Sequence, residues 1–114
     1  MSKLKILLPS LKEKKRYLVY EILADKDLDK NISNELINKL DSVLGVFDGA
    51  KAGLQSISYD KNAQKGMLRV NNKQVDKLKT SLMLIKHLNN QEIIIKTIGV
   101  SGIIKKAKQK YLAQ

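Results

Sequence analysis

The stretch from Gln91 to Gln114 constrains the fold more than any other part of the chain. A β-branched run, Ile93-Ile94-Ile95-Lys96-Thr97-Ile98, meets Gly99-Val100-Ser101-Gly102 and passes into Ile103-Ile104-Lys105-Lys106-Ala107-Lys108-Gln109-Lys110-Tyr111-Leu112. The run reads as a strand. Ser101 stands where a helix N-cap is expected. On a 3.6-residue wheel Ile104, Ala107 and Tyr111 share one face with Ile103 beside it, while Lys105, Lys106 and Lys110 point away. A buried strand therefore delivers a helix that is apolar on one side and cationic on the other. That arrangement suits an RNA partner better than a small-molecule substrate.

Upstream, the periodicity switches several times. Leu18, Tyr20 and Ile22 alternate with Tyr17, Val19 and Glu21 between Arg16 and Leu23, a strand pattern. A polar connection over 25–30 precedes a helix from Ser33, with Leu36, Leu40, Val43, Leu44 and Phe47 on one stripe and Gly45 or Gly49 near its end. A second strand is expected over Leu54–Asp60, a hairpin loop over Asn62–Gly66 and a third strand over Met67–Asn71. Val75, Leu78, Leu82 and Ile85 mark a second helix, followed by the final strand and helix. The order is β-α-β-β-α-β, which predicts an α/β (α+β) ferredoxin-like, RNA-recognition-like sandwich: a four-stranded antiparallel sheet, two helices on one face and an extra terminal helix. With 114 residues and no linker, residues 1–114 are read as a single domain.

Charge narrows the partner. The chain carries 22 basic and 11 acidic residues, a formal net charge of +11. Residues 1–16 hold Lys3, Lys5, Lys12, Lys14, Lys15 and Arg16 against Glu13 alone, and residues 101–114 hold four lysines and no acid. The middle of the chain is close to balanced. Excess charge at both ends, interleaved with apolar residues, is a footprint for a polyanion. The absence of cysteine removes disulfides and thiolate metal sites and agrees with a reducing cytosol, so a cytoplasmic location is expected. No apolar run reaches the roughly 18 residues of a membrane span, and the patch after Met1 is too brief for a signal peptide.

Catalytic sets do not assemble. His87 is the single histidine, placed near the end of the second helix, where the helix dipole favours it; a histidine acid–base pair is impossible. Asp25-Lys26-Asp27-Leu28-Asp29 begins like a calcium loop, then has Lys30 where glycine is required and Leu36 where a bidentate Glu is required. The other carboxylates are scattered singly, poor provision for a two-metal centre. Neither glycine-rich stretch has phosphate-loop grammar. Ser101-Gly102 either offers free N–H groups to one phosphate or simply caps and packs. Lys65-Gly66-Met67-Leu68-Arg69-Val70-Asn71-Asn72 opens like an RNA-recognition signature but has Met, Leu and Asn where aromatics belong. Tyr17 or Tyr20 supplies at most one ring, so phosphate contacts with structured RNA fit better than base stacking on the sheet.

Three segments carry a resemblance: Leu7-Leu8-Pro9-Ser10-Leu11-Lys12-Glu13-Lys14-Lys15-Arg16-Tyr17-Leu18, Phe47-Asp48-Gly49-Ala50-Lys51-Ala52-Gly53-Leu54, and Gly99-Val100-Ser101-Gly102-Ile103-Ile104-Lys105-Lys106-Ala107. In order and spacing the chain resembles the archaeal ribonuclease P protein component 2 family over nearly its whole length. Ile103 departs from the family's usual threonine and removes a hydroxyl at that helix start. The resemblance implies a noncatalytic subunit of ribonuclease P, the ribonucleoprotein endonuclease that removes the 5′ leader of precursor tRNA. It implies a catalytic RNA using magnesium, no cofactor bound by the protein, and protein component 3 and other ribonuclease P subunits as partners, with precursor tRNA in the holoenzyme.

The RNA-binding residues expected on this reading are Lys12, Lys14, Lys15, Arg16, Ser101, Gly102, Lys105, Lys106, Lys108 and Lys110. Tyr17 and Val19 on the first strand and Ile94 and Ile98 on the last should face away from the two main helices. They need cover from the terminal helix, component 3 or self-association of the chain. A ribosomal or other structural RNA-binding protein of ferredoxin-like fold is the alternative. A small-molecule regulatory module of the same element order is a third reading, which the charge opposes.

Overall fold

A central strand, β1 (Lys15–Ala24), organises the molecule. The computed structural model describes residues 14–26, 28 and 31–112, with backbone alone over 46–52. After β1 come α1 (Ile32–Ala52), β2 (Gln55–Asp60), β3 (Lys65–Asn71), a 3-10 turn over Asn72–Gln74 and α2 (Val75–Leu84). Then follow β4 (His87–Leu88), β5 (Gln91–Ser101) and the terminal helix α3 (Ile104–Ala107), which continues as a wider π-helical segment over Lys108–Leu112. The sheet is antiparallel throughout, in the order β2-β3-β1-β5-β4. It has five strands where four are expected from the sequence. The addition is the two-residue β4, paired to the start of β5 through His87–Glu92 and Leu88–Gln91. Asn89 and Asn90 join them with φ of 54° and 61°, both left-handed, as a two-residue hairpin turn of the primed type requires.

Strand alternation separates two cores. On one face Leu18, Tyr20 and Ile22 of β1 pack with Leu68 and Val70 of β3, and with Ile93 and Ile95 of β5. The helices cover them with Ile32, Leu36 and Leu40 of α1 and Leu78 and Leu82 of α2. On the other face Val19 and Met67 are fully buried with Ala107, and Tyr17, Ile57, Ile98, Ile104, Tyr111 and Leu112 pack around them. The terminal helix thus lies across the sheet face opposite α1 and α2. β1 is buried on both faces at Leu18, Val19 and Tyr20, beyond what its half-polar pattern suggests.

Two close approaches depend on glycine. A Cβ at Gly99 would collide with the Tyr111 ring, so the bare backbone there lets the terminal segment lie flat on β5. A Cβ at Gly66 would collide with Tyr20. Gly66 pairs with Tyr20 on one side and Tyr59 on the other, and the two rings stack at 6.4 Å across the gap. Tyr20 is wholly buried, so it offers no ring to a base.

Some helix details differ from the sequence expectation. α1 breaks at Gly45 (φ 82°, ψ 169°) but resumes and ends at Gly53. Val43 is 43% exposed, off the core stripe, and Phe47 lies outside the described side chains. α2 stops at Leu84 because Ile85 turns extended and is buried. His87 is therefore not a helix C-terminal residue. It sits exposed in β4, and its carbonyl accepts a hydrogen bond from Lys39 Nζ.

Gly99→Val should displace Tyr111 and cost about 1–3 kcal/mol, as overpacking does. Urea unfolding reads this, and the cost should shrink in a Tyr111→Ala background. Burial pushes the Tyr20 phenol above its ordinary 10.0, and burial with nearby Asp60 pushes Tyr59 upward. The folded state therefore keeps protons that the unfolded chain gives up, and stability should fall as pH rises past about 10. Because the Tyr20 hydroxyl is buried without a partner, Tyr20→Phe should leave neutral-pH stability nearly intact and reduce that alkaline loss.

Candidate nucleic-acid interface

Antiparallel pairing decides where the charges meet. Tyr17 of β1 pairs with Ser101 of β5, so the start of β1 and the end of β5 are neighbours. Lys14, Lys15 and Arg16 at the start of β1 therefore lie at the end of the sheet from which the terminal lysines' segment departs. Lys14 is exposed. Lys15 is half-buried and donates from Nζ to Asn71 Oδ1. The Arg16 guanidinium donates to the Lys15 carbonyl at 3.1 Å and lies beside Gly102, where an added Cβ would meet Nη1 at 3.3 Å. Arg16 thus physically links the N-terminal basic group to the Ser101-Gly102 turn. Lys12 lies outside the described residues.

The terminal helix presents the other half. Ala107 is buried, and Ile104, Tyr111 and Leu112 are half-buried against Val19 and Met67. With that face anchored, Lys105, Lys106, Lys108 and Lys110 are all exposed. Lys110 Nζ stands 5.6 Å from the Tyr111 ring centroid, a cation–π distance. Ile103, read as flanking the apolar face, is instead 51% exposed at the N-cap.

Ser101 does not cap the helix. Its hydroxyl accepts from the Ile103 N–H and donates to the Ile103 carbonyl, each at 3.2 Å, closing the turn ahead of α3. The strand runs one residue into the expected cap, and Ile103 takes the cap position with no side-chain hydrogen bond. Gly102 remains exposed next to Arg16.

The four residues expected at a protein interface divide. Val19 is completely buried under the terminal helix, and Ile98 and Tyr17 pack into the same second core. Intramolecular cover therefore takes Val19 out of any open surface. Ile98 reaches that side by strand alternation from Ile93 and Ile95, and a bulge at Ile98, where Val19 pairs with Gly99 and Tyr20 with Thr97, puts Gly99 there too and turns Val100 into the main core. Ile94 alone stays strongly exposed, at 66%, beside its partner Leu23.

Two carboxylates and His87 lie together away from this surface. Asp25, His87 and Glu92 line a cleft of about 620 Å³ at the far end of β1, together with Gln64 and Lys86. Among the described residues no three His, Cys, Asp or Glu side chains are grouped to hold a metal ion, and no helix is long and apolar enough to cross a membrane. Sequence reasoning did not find the Arg16–Gly102 contact, because it joins positions far apart in the chain.

The chain matches the Rpp14/Pop5 family over residues 16–112. It is 41% identical over 115 aligned positions to the Pyrococcus horikoshii protein called ribonuclease P protein component 2, covering 100% of this chain and 96% of that relative. The Methanocaldococcus jannaschii protein of that name is 40% identical, covering 96% of this chain and 81% of its own length. That from Archaeoglobus fulgidus is 36% identical, covering 91% and 94%. A chain from the structure of yeast ribonuclease MRP shares the fold, with a TM-score of 0.63 over 79% of this chain and 75% of its own at 12% identity. The family's profile spans the strands, both core-forming helices and the cationic terminal segment, and the chain belongs to the Rpp14/Pop5 family.

Proposed function

We propose that this chain is a noncatalytic protein subunit of ribonuclease P, working within the ribonucleoprotein that removes the 5′ leader of precursor tRNA. In this reading the fold is a ferredoxin-like frame, and the catalyst is the ribonuclease P RNA with its magnesium ions. The chain supports the catalytic domain of that RNA together with protein component 3. The observation that carries the reading is that Lys14, Lys15 and Arg16 lie at the end of the sheet where β5 passes into the lysine-rich terminal helix, with Arg16 beside Gly102. Exposed lysines suit phosphates of a folded RNA, which position a protein without requiring base identity. The family membership and the names of the archaeal relatives point the same way.

The protein's role follows from charge. Lysines set beside the RNA offset phosphate repulsion that magnesium would otherwise screen, and they hold the RNA fold that places the catalytic ions. This is organisation of a site, with the bond-breaking chemistry left to the RNA.

Replacing Lys105, Lys106, Lys108 and Lys110 with alanine should weaken binding to the cognate RNA and flatten its salt dependence. For about five phosphate contacts the intact chain should lose roughly 500-fold in affinity from 50 to 200 mM salt, and the variant much less. An unchanged slope would place the footprint elsewhere.

Alone, the chain should cleave no precursor tRNA. Added with component 3 to the RNA, it should raise the cleavage rate and lower the magnesium requirement, and the terminal-lysine variant should need more magnesium to recover the rate. His87→Ala should leave that rate nearly intact, since His87 lies on the far cleft. Leader cleavage by the RNA-free protein would contradict the proposal, and copurification with ribosomes in place of ribonuclease P RNA would favour a ribosomal role.

A further inference from the structure

The outer edge of β5 is only partly used. β4 pairs with it at Gln91 and Glu92, and Ile93 turns its N–H away from β1 to the Lys86 carbonyl at 2.8 Å. Backbone alternation gives Ile95 and Thr97 the same outward direction. Among the described residues no strand lies beyond β5 at those positions. Their N–H and C=O groups form a short open ladder.

Apolar surface surrounds that ladder. Ile94 is 66% exposed, Leu23 46% and Met83 70%, from β5, β1 and α2. Between them runs a groove of about 340 Å³, lined also by Ile85, Ile95, Lys86 and Lys96. Lys86 and Lys96 are both exposed, and no carboxylate lines the groove. The combination is an open strand edge, apolar side chains on both flanks and a cationic rim.

A second copy of this chain fits the edge poorly. Symmetric antiparallel pairing centred on the open stretch sets Lys96 directly opposite its own counterpart, a like-charge pair at the axis. Shifting the centre to Ile94 would match Glu92 with Lys96, but the outer side of Glu92 and Ile93 is already taken by β4 and Lys86. Lys96 thus acts as an edge-guarding charge against self-pairing.

We propose that this edge receives an extended segment of a different protein, one alternating apolar and acidic residues, by strand addition to β5. Its backbone pairs with Ile95 and Thr97, its apolar side chains lie on the α2 side of the sheet against Met83, and its carboxylates lie on the opposite side beside Lys96. The site lies about 26 Å along β1 from Lys15, at 3.3 Å per residue, so it leaves the cationic end free. It does not depend on the RNA reading.

The test uses the full chain and a synthetic peptide of alternating valine and glutamate, with hydrogen exchange followed at individual amides. The peptide should slow exchange at Ile95 and Thr97 by at least about tenfold, as a strand with matched pockets does. The same peptide N-methylated throughout, or with lysine for glutamate, should not. Met83→Gln should weaken peptide binding about tenfold, a loss of about 1.4 kcal/mol, while leaving RNA affinity unchanged. Absence of protection at millimolar peptide overturns the proposal, as does equal protection by the lysine peptide. Protection of Ile95 and Thr97 without any peptide also overturns it: if concentration-dependent, a second copy is the occupant; if not, the edge is covered within the chain itself.

Discussion

The antiparallel ladder between β1 and β5 is the constraint on which the rest of the molecule depends. It runs from Ala24–Ile93 at one end to Tyr17–Ser101 at the other. One end of that ladder holds Lys14, Lys15 and Arg16 beside the turn that leads into the terminal lysines. The other end gathers the exposed apolar residues Leu23 and Ile94. Because both strands are long and packed on the main core, these two surfaces are held apart by a rigid element. A slip of one residue would turn Ile93 and Ile95 out of the main core and put Ile94 in their place, so burial fixes the register.

The second core explains why the cationic surface has a defined shape. Lysines on an isolated helix as short as α3 would be on a fraying segment, since short helices are marginal in water. Here Ala107, Ile104 and Tyr111 dock on Val19, Met67 and the bare backbone of Gly99. Docking orients the segment so that all four lysines face solvent. The same docking hides the sheet face on which an RNA-recognition module stacks bases, so a phosphate-directed surface and a covered sheet are two results of one packing event.

Much of this was legible before the structure. The period-2 pattern of β1 and the stripe Leu36–Leu40 of α1 are local signals, and the structure places them within a residue or two. The terminal face of Ile104, Ala107 and Tyr111 was also local, and correct. β4 was missed although Asn89-Asn90 is a hairpin signal, because the helical spacing of Val75, Leu78, Leu82 and Ile85 carried the reading past the true end of α2. Ser101 was read as a cap because its residue type favours one, whereas pairing with Tyr17 keeps it in the strand. Arg16 beside Gly102 was out of reach, since it arises from a contact between distant parts of the chain, whereas cover of Val19 by the terminal helix was among the covers expected. Ile98 reaches the second core as strand alternation predicts, whereas the bulge that turns Val100 into the main core is announced by no periodicity.

The central claim is that the two basic ends form one surface for RNA. Since the chain has no cysteine, a single one introduced at position 14 or at position 108 can carry a tethered iron chelate that cleaves nearby RNA with hydroxyl radicals. The account predicts that the two tethers cut overlapping nucleotides of the ribonuclease P RNA. Cuts confined to separate regions of the RNA would contradict it, because the ends would then be serving two independent sites.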